Sequence, residues 1–168
     1  MSDSTADGED RITVAPTEAH DERAFLHMAE GLTRFNAPHI WEGRDLEEVL
    51  EGRRSQMREV YRRAREGIAL ARLEGEAAGC VWAEITRSSL RTTGFINEIY
   101  VREPGRGLGA GGLLLDHALG WLISRGADRV MAQVHRWNAG AMRFYRRQGF
   151  DLHSITLSRD LTLGGEDR

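Results

Sequence analysis

Glycines crowd the stretch VREPGRGLGAGG, residues 101–112, which lies between a strand-like apolar run and a helical pattern. Glycine at such a junction costs backbone entropy and provides no side chain for packing. Its advantage is that a ligand can approach the backbone closely, and a helix N-terminus offers N–H groups without partners together with the positive end of the helix dipole. Phosphates bind at such ends, and Arg106 can add a charge-assisted contact. The stretch predicts a phosphate cradle, with a plain glycine-rich turn as the alternative.

Two familiar phosphate-binding motifs fit this stretch poorly. A P-loop requires a lysine, and all 23 basic residues of the chain are arginines. The spacing Gly107-x-Gly109-x-x-Gly112 matches the glycine fingerprint of dinucleotide-binding folds, which also expects an acidic residue at the end of the next strand, about twenty residues on. Asp128 instead precedes that strand, and too little chain follows for a doubly wound sheet.

The elements that must position the glycine stretch follow from hydrophobic periodicity and from turn residues. They predict an α/β sheet with mixed strand directions, in which a hairpin turns at Glu74-Gly75-Glu76, Asp45 begins a helix and Asn138 caps another. The predicted strands are 12–15, 68–73, 77–85, 94–101, 129–134 and one or two within 150–161; the predicted helices follow Pro16, Asp45, Gly112 and Asn138.

Length and composition indicate a single domain over residues 11–163, with disordered tails at 1–10 and 164–168. A net charge of −3 and a pI of about 6.1 argue against a general nucleic-acid surface. The sequence has neither a membrane-spanning apolar stretch nor a signal-peptide pattern, which favours the cytoplasm. Cys80 is the single cysteine, and His117 and His135 lack metal-ligand spacing, so we expect neither a disulfide nor a metal site.

Two motifs are similar to those of the GNAT family of N-acetyltransferases. The family's acyl-coenzyme A (CoA) signature is Arg or Gln, two residues, Gly, one residue, then Gly or Ala, and residues 106–111 match it as RGLGAG. The block NAGAMRFYRRQGF, residues 138–150, resembles the family's later Asn…Tyr…Gly-Phe block. The resemblance covers roughly residues 95–150. It implies the acyl-CoA N-acyltransferase fold: a mixed, mostly antiparallel central sheet with splayed fourth and fifth strands and helices on both faces.

The resemblance also implies acetyl-CoA as the acyl donor, with its pantetheine arm in the gap between the splayed strands. Ile99 and Val101 are then expected to offer backbone groups to the arm, with Tyr100 between them, while Asn138 contacts the cofactor from the far side. Arg102, Arg136 and Arg143 are equally compatible with phosphate contacts and with solvated surface positions. The pyrophosphate is expected on the amides of Arg106, Gly107, Leu108, Gly109, Ala110 and Gly111.

The family places a tyrosine near the cofactor sulfur, where it can protonate the departing thiolate. Tyr145 matches that position, and the alternative is a core tyrosine on an amphipathic helix. A lysine-like amine has a pKa of about 10.4, so deprotonating it at pH 7 costs roughly 4–5 kcal/mol, and a carboxylate can take the proton. Glu98 is the candidate base. Polyamine-acetylating relatives carry their glutamate one position earlier, where this chain has Asn97, so Glu84 or a water chain remain alternatives.

The segment FNAPHIWEGR, residues 35–44, is predicted to be a loop where this family often builds its acceptor pocket. Phe35, His39 and Trp41 would line that pocket together with Asn97, unless the aromatic residues serve the core. The resemblance predicts acetylation of a primary amine of a small molecule or peptide by direct attack in a ternary complex. A non-catalytic acyl-CoA-binding domain is the alternative function. The family also makes a homodimer an expectation, and the acceptor amine is left undefined.

Overall fold

The computed structural model describes residues 11–158, so the predicted tails 1–10 and 164–168 lie outside the described residues. The chain divides into two compact units, with the boundary between Gln133 and Val134. The first contains strands β1 to β5 and helices α1 to α3, and the second contains helix α4. The bounds are β1 Ile12–Pro16, α1 Glu22–Ile40, α2 Leu46–Ala64, β2 Ile68–Leu73, β3 Glu76–Arg87, β4 Thr92–Val101, α3 Ala110–Ser124, β5 Arg129–Ala132 and α4 Ala139–Arg147.

The sheet of the first unit has the strand order β1-β2-β3-β4-β5. From β1 to β4 each strand is antiparallel to the one before it, whereas β5 runs parallel to β4. Parallel pairing joins Thr93–Ile96 to Arg129–Ala132 and stops there, although β4 continues to Val101. The predicted fold class is therefore confirmed: the sheet is mixed and mostly antiparallel, and its fourth and fifth strands separate after four pairs.

Helices cover both faces of this sheet because side chains alternate along each strand. The adjacent residues Gly79 and Cys80 of β3 show the alternation. A Cβ on Gly79 would lie 3.1 Å from Leu114 of α3, whereas Cys80 is buried with residues of α1 and α2. The cluster under α1 and α2 consists of Phe25, Met28, Ala29, Met57, Val60, Tyr61, Ile68, Leu70, Cys80 and Trp82.

Local sequence signals explain the boundaries of several elements. Glu74 and Gly75 join β2 to β3 with φ angles of 52° and 87°, which a two-residue hairpin turn of this hand requires. The Asp45 side chain accepts a 2.9 Å hydrogen bond from the Glu48 N–H and caps α2. In the second unit, the Asn138 side chain caps α4 by accepting from the Ala141 N–H at 2.9 Å. These predicted turn and cap positions are confirmed.

Two sequence predictions are wrong. Residues 35–40 continue α1 instead of forming a loop, so Phe35 and His39 lie on the helix and Trp41 follows it as the C-cap. Pro38 lacks the N–H that would donate to the Arg34 carbonyl. The helix nevertheless continues past it to Ile40, and the Trp41 N–H closes it on the Ala37 carbonyl. Residues 151–158 contain no strand, since an apolar alternation forms a strand only where a neighbouring strand completes the ladder. The remainder of that predicted segment lies outside the described residues.

The core under α1 and α2 predicts that two leucines contribute very differently to the free energy of unfolding. Leu70 is fully buried and Leu90 is 94% exposed. Leu70→Ala should lower the free energy of unfolding by about 2–5 kcal/mol, because it removes packed methyl groups and leaves a cavity. Leu90→Ala is the matched control and should change it by less than about 0.5 kcal/mol. Urea denaturation measures both, and equal effects would contradict the described core.

Candidate functional site

The half of β4 beyond Ile96 has an edge that β5 does not cover. The Arg102 N–H donates to the Ala78 carbonyl at 2.9 Å, so the backbone groups of residue 102 are directed toward β3. Backbone groups of successive residues in an antiparallel strand point to opposite sides. The groups of Val101 and Ile99 are therefore directed away from β3, toward the edge that β5 has left, whereas those of Tyr100 face β3.

A glycine turn leads from this edge into α3. Gly107 and Gly109 have φ angles of 76° and 84°, in the left-handed region where a side chain is strained. The Leu113 N–H donates to the Gly109 carbonyl at 3.2 Å, and this bond begins the helix. The N–H groups of Ala110–Gly112 precede it and have no carbonyl partner within α3. Together with the positive end of the helix dipole, they form a site suited to an anion.

The Arg106 side chain lies along the end of β4. Its Nε donates to the Val101 carbonyl at 2.8 Å, and a terminal nitrogen donates to the Glu103 carboxylate at 2.6 Å. The guanidinium lies 5.7 Å from the ring centroid of Phe35 and 6.0 Å from that of Tyr100. The Arg106 N–H itself donates to the Glu103 carbonyl at 3.1 Å. Of the six predicted phosphate-binding amides, this one therefore already has a partner.

A β-bulge interrupts β4 just before this edge. Trp82 of β3 is opposite Glu98, and the next residue, Ala83, is opposite Ile96, so Asn97 is one extra residue on β4. A bulge changes the direction of the side chains around it. The expectation that adjacent residues point to opposite faces therefore does not hold at this position.

Both side chains at the bulge contact partners on the α2 side of the sheet. The Asn97 amide donates to the Glu84 carboxylate at 2.9 Å, and Arg63 of α2 lies 3.3 Å from the same glutamate. Glu98 forms an ion pair with Arg53 of α2. The predicted substrate residue and the predicted base thus share one face, and the alternative base, Glu84, is tied to two partners.

Glu98 is a carboxylate in an apolar setting. Its side chain is only 10% exposed, and burial raises its pKa, while the Arg53 guanidinium acts in the opposite direction. Its oxygen Oε1 accepts from Arg53, and its oxygen Oε2 has no hydrogen-bond partner. A carboxylate with one fixed oxygen and one unpaired oxygen is suited to accepting a proton.

The second unit contains the remaining predicted site residues. Asn138 uses its side-chain oxygen to cap α4, as described above. Tyr145 is 7% exposed, and burial raises the pKa of its hydroxyl well above the usual range. Phe144 and Phe150 meet its ring edge-on, each at a centroid distance of 5.2 Å. A phenol in these surroundings stays protonated at neutral pH.

The other titratable residues singled out in the sequence are Cys80, His117 and His135. Cys80 is fully buried, which raises the pKa of its thiol, and burial lowers the pKa of His117. The His135 ring stacks on that of Trp137 at 6.0 Å. Within residues 11–158, no three His, Cys, Asp or Glu side chains gather as a metal site would require, and no helix is long and apolar enough to span a bilayer.

Sequence reasoning missed Arg53. It precedes Glu98 by 45 positions, and the contact between them joins a helix to a strand. In the sequence, Arg53 cannot be distinguished from other arginines of the same helix, such as Arg54 and Arg58. Only the packing of α2 against the sheet distinguishes them.

Comparison with known proteins agrees with this geometry. The model of the Acetyltransferase (GNAT) family matches residues 28–150. An uncharacterized N-acetyltransferase of Archaeoglobus fulgidus is 28% identical over 126 residues, which span 71% of this chain and 86% of that protein. Mycothiol acetyltransferase of Thermobispora bispora is 36% identical over 87 residues, which are 50% of this chain and 30% of that protein.

Solved structures show the same fold. The PaiA N-acetyltransferase of Thermoplasma acidophilum, in complex with coenzyme A, has a TM-score of 0.71 at 17% identity, covering 86% of this chain and 92% of that one. An aminoglycoside acetyltransferase from an uncultured soil metagenomic sample, in complex with sisomicin, has a TM-score of 0.65 at 12% identity. The match covers 91% of this chain and 98% of that one. Since the family model spans most of the chain, this protein belongs to the GNAT family of acetyltransferases.

Proposed function

We propose that this protein transfers the acetyl group of acetyl-CoA to a primary amine of a small molecule or peptide in a ternary complex. The amine nitrogen attacks the thioester carbonyl carbon, the carbon–sulfur bond breaks, and coenzyme A leaves as the thiol. The observation that carries this proposal is the juxtaposition of the uncovered β4 edge with the unpaired N–H groups of Ala110–Gly112. It provides hydrogen-bonding groups for an extended chain next to a site for its phosphates.

The glycine turn and the β4 edge support binding of the acyl donor. A pyrophosphate suits the N–H groups at the start of α3, and Gly107 and Gly109 allow it to approach the backbone. The backbone groups of Ile99 and Val101 suit the amides of a pantetheine arm. The Val101 carbonyl accepts from Arg106 in this structure, so we infer that the Arg106 side chain shifts when the arm binds.

Glu98 and Tyr145 are assigned the two proton transfers. Glu98 takes the proton of the attacking amine on its unpaired oxygen, and its raised pKa makes it a stronger base than a solvated carboxylate. Glu84 is less suited, because Asn97 and Arg63 already contact it. Tyr145 returns a proton to the sulfur, and this assignment is supported by the match of its block to the family and by its protonated state.

We further propose that the acceptor lies on the α2-facing side of β4, where Glu98 and Asn97 are directed. Phe35 and Tyr100 provide aromatic surface beside it, which suits an amine with a cationic or apolar body. The similar aminoglycoside acetyltransferase structure contains sisomicin, an observation compatible with a small-molecule amine here.

An acceptor panel tests the proposed function. Thiol release from acetyl-CoA is followed with an aminoglycoside, a polyamine, an amino-acid amide and a short peptide, each against a reaction without acceptor. We expect release above the acceptor-free rate with at least one primary amine and none when its nitrogen is already acetylated. If acetyl-CoA raises the melting temperature while every amine fails, the chain is a non-catalytic binding domain instead.

Loss of the Tyr145 hydroxyl should slow turnover without weakening donor binding. Tyr145→Phe should lower kcat by about 10²–10⁴-fold, the usual contribution of a general acid. The matched control is Tyr61→Phe, because the buried Tyr61 donates its hydroxyl to the Glu18 carbonyl and is not among the proposed site residues. It should change stability and leave kcat close to the parent value. A Tyr145→Phe enzyme that is as fast as the parent would refute the assignment.

A side chain at Gly109 should impair donor binding. Gly109→Ala forces a left-handed φ on a residue with a Cβ, at a cost of about 1–2 kcal/mol, and disturbs the N–H groups at the start of α3. We expect affinity for coenzyme A, measured by titration calorimetry, to fall about tenfold or more. The control is Gly120→Ala in the middle of α3, where nothing lies within 4 Å of the added Cβ. The two variants binding coenzyme A equally well would contradict the cradle.

A further inference from the structure

The contact between Arg53 and Glu98 joins α2 to the bulged part of β4 in a largely buried setting. The Arg53 side chain is 19% exposed and that of Glu98 is 10% exposed. Arg53 divides its donors: one terminal nitrogen donates to Glu98 Oε1 and the other donates to the Gln56 side chain at 2.7 Å. The guanidinium is therefore held from its own helix and oriented toward a single carboxylate oxygen.

The remaining polar atoms around this contact lack partners. Glu98 Oε2, Arg53 Nε and the indole nitrogen of Trp82 are buried without a hydrogen-bond partner. Trp82 is directly opposite Glu98 on β3, so their side chains are neighbours. Buried polar atoms are normally satisfied, so a group of them without partners requires an explanation.

Few charges surround Glu98. Arg53 faces it from α2, the uncharged Trp82 and the buried Cys80 thiol face it from β3, and α1 contributes apolar side chains to the same core. Arg53 is the charge that acts on Glu98 through both a hydrogen bond and Coulomb attraction. Exclusion of water strengthens the attraction between the two charges but also removes them from solvent, and for Glu98 this second effect is the larger.

We propose that Arg53 is a positioning residue for the reaction: it fixes Glu98 through Oε1 and leaves Oε2 free to accept the proton of the attacking amine. This inference rests on the proposed function, in which Glu98 is the base. Because Oε2 is buried, the proton passes from the amine nitrogen to Oε2 through a bridging water. The nitrogen electron pair forms the bond to the acetyl carbon, and the pair of the broken carbon–sulfur bond leaves with the sulfur. Arg53 itself touches neither substrate.

The proposal has a consequence for pH dependence. Glu98 must be ionised to act as a base, so kcat/KM falls on the acid side as pH drops through its pKa. Burial raises that pKa and Arg53 opposes the rise, so removing the guanidinium raises the pKa further. The acid limb of the profile should then move to higher pH, whereas a merely structural role for Arg53 would lower the whole profile without moving the limb.

The experiment compares pH profiles of kcat/KM for Arg53→Met and Arg53→Lys with the best amine of the panel. For Arg53→Met we expect a limb displaced upward by about one to three pH units. Arg53→Lys keeps the charge and should show a smaller displacement with partial recovery of the rate. The control is Arg54→Met, since Arg54 lies next in sequence on α2 but pairs with Glu51 and Glu30. It should leave the limb in place.

Folding and the identity of the base are checked separately. Melting temperature and coenzyme A affinity show whether each variant is folded, and Arg53→Lys provides the comparison if Arg53→Met is not. Glu98→Gln should abolish the acid limb, and adding Arg53→Met to it should lower the rate little further. If Glu98→Gln loses the acid limb but both Arg53 variants keep it unchanged, the positioning role of Arg53 is overturned and Glu98 remains the base. A Glu98→Gln enzyme that keeps both rate and limb overturns the base itself.

Discussion

Parallel pairing between β4 and β5 ends at Ile96 and Ala132, and the proposed chemistry depends on that interruption. The backbone groups of Ile99 and Val101 remain directed toward the edge that β5 leaves. The chain then passes through a glycine turn that begins α3 with unpaired N–H groups. A continuous sheet would satisfy the strand groups internally and leave nothing for an extended ligand to bind. The fold thus keeps a row of backbone donors and acceptors available beside an anion site.

The bulge at Asn97 places the proposed base next to this proposed binding edge. It turns Glu98 toward α2, where Arg53 holds one of its oxygens in a buried ion pair. Burial disfavours the carboxylate and the guanidinium favours it, and the balance leaves a carboxyl group with a raised pKa. Asn97, on the same face, contacts Glu84 and keeps that second carboxylate engaged. Geometry thereby separates Glu98, the candidate base, from Glu84, the alternative that the sequence left open.

Features set by neighbouring residues could be predicted from the sequence. Asp45 and Asn138 cap their helices through contacts with residues three positions later. The glycines of residues 107–112 likewise predict the turn before α3. Features set by distant packing could not. Pro38 predicted an end to α1, yet the helix continues past it to Ile40. The bulge at Asn97 depends on the register with β3, and the partner of Glu98 comes from a helix 45 positions earlier.

A crystal structure of the protein grown with coenzyme A tests the central claim most directly. The account predicts that the pyrophosphate oxygens accept from the N–H groups of Ala110–Gly112 and that the pantetheine arm lies against Ile99 and Val101. Coenzyme A ordered elsewhere on the protein, with the glycine turn and the β4 edge bare, would contradict it.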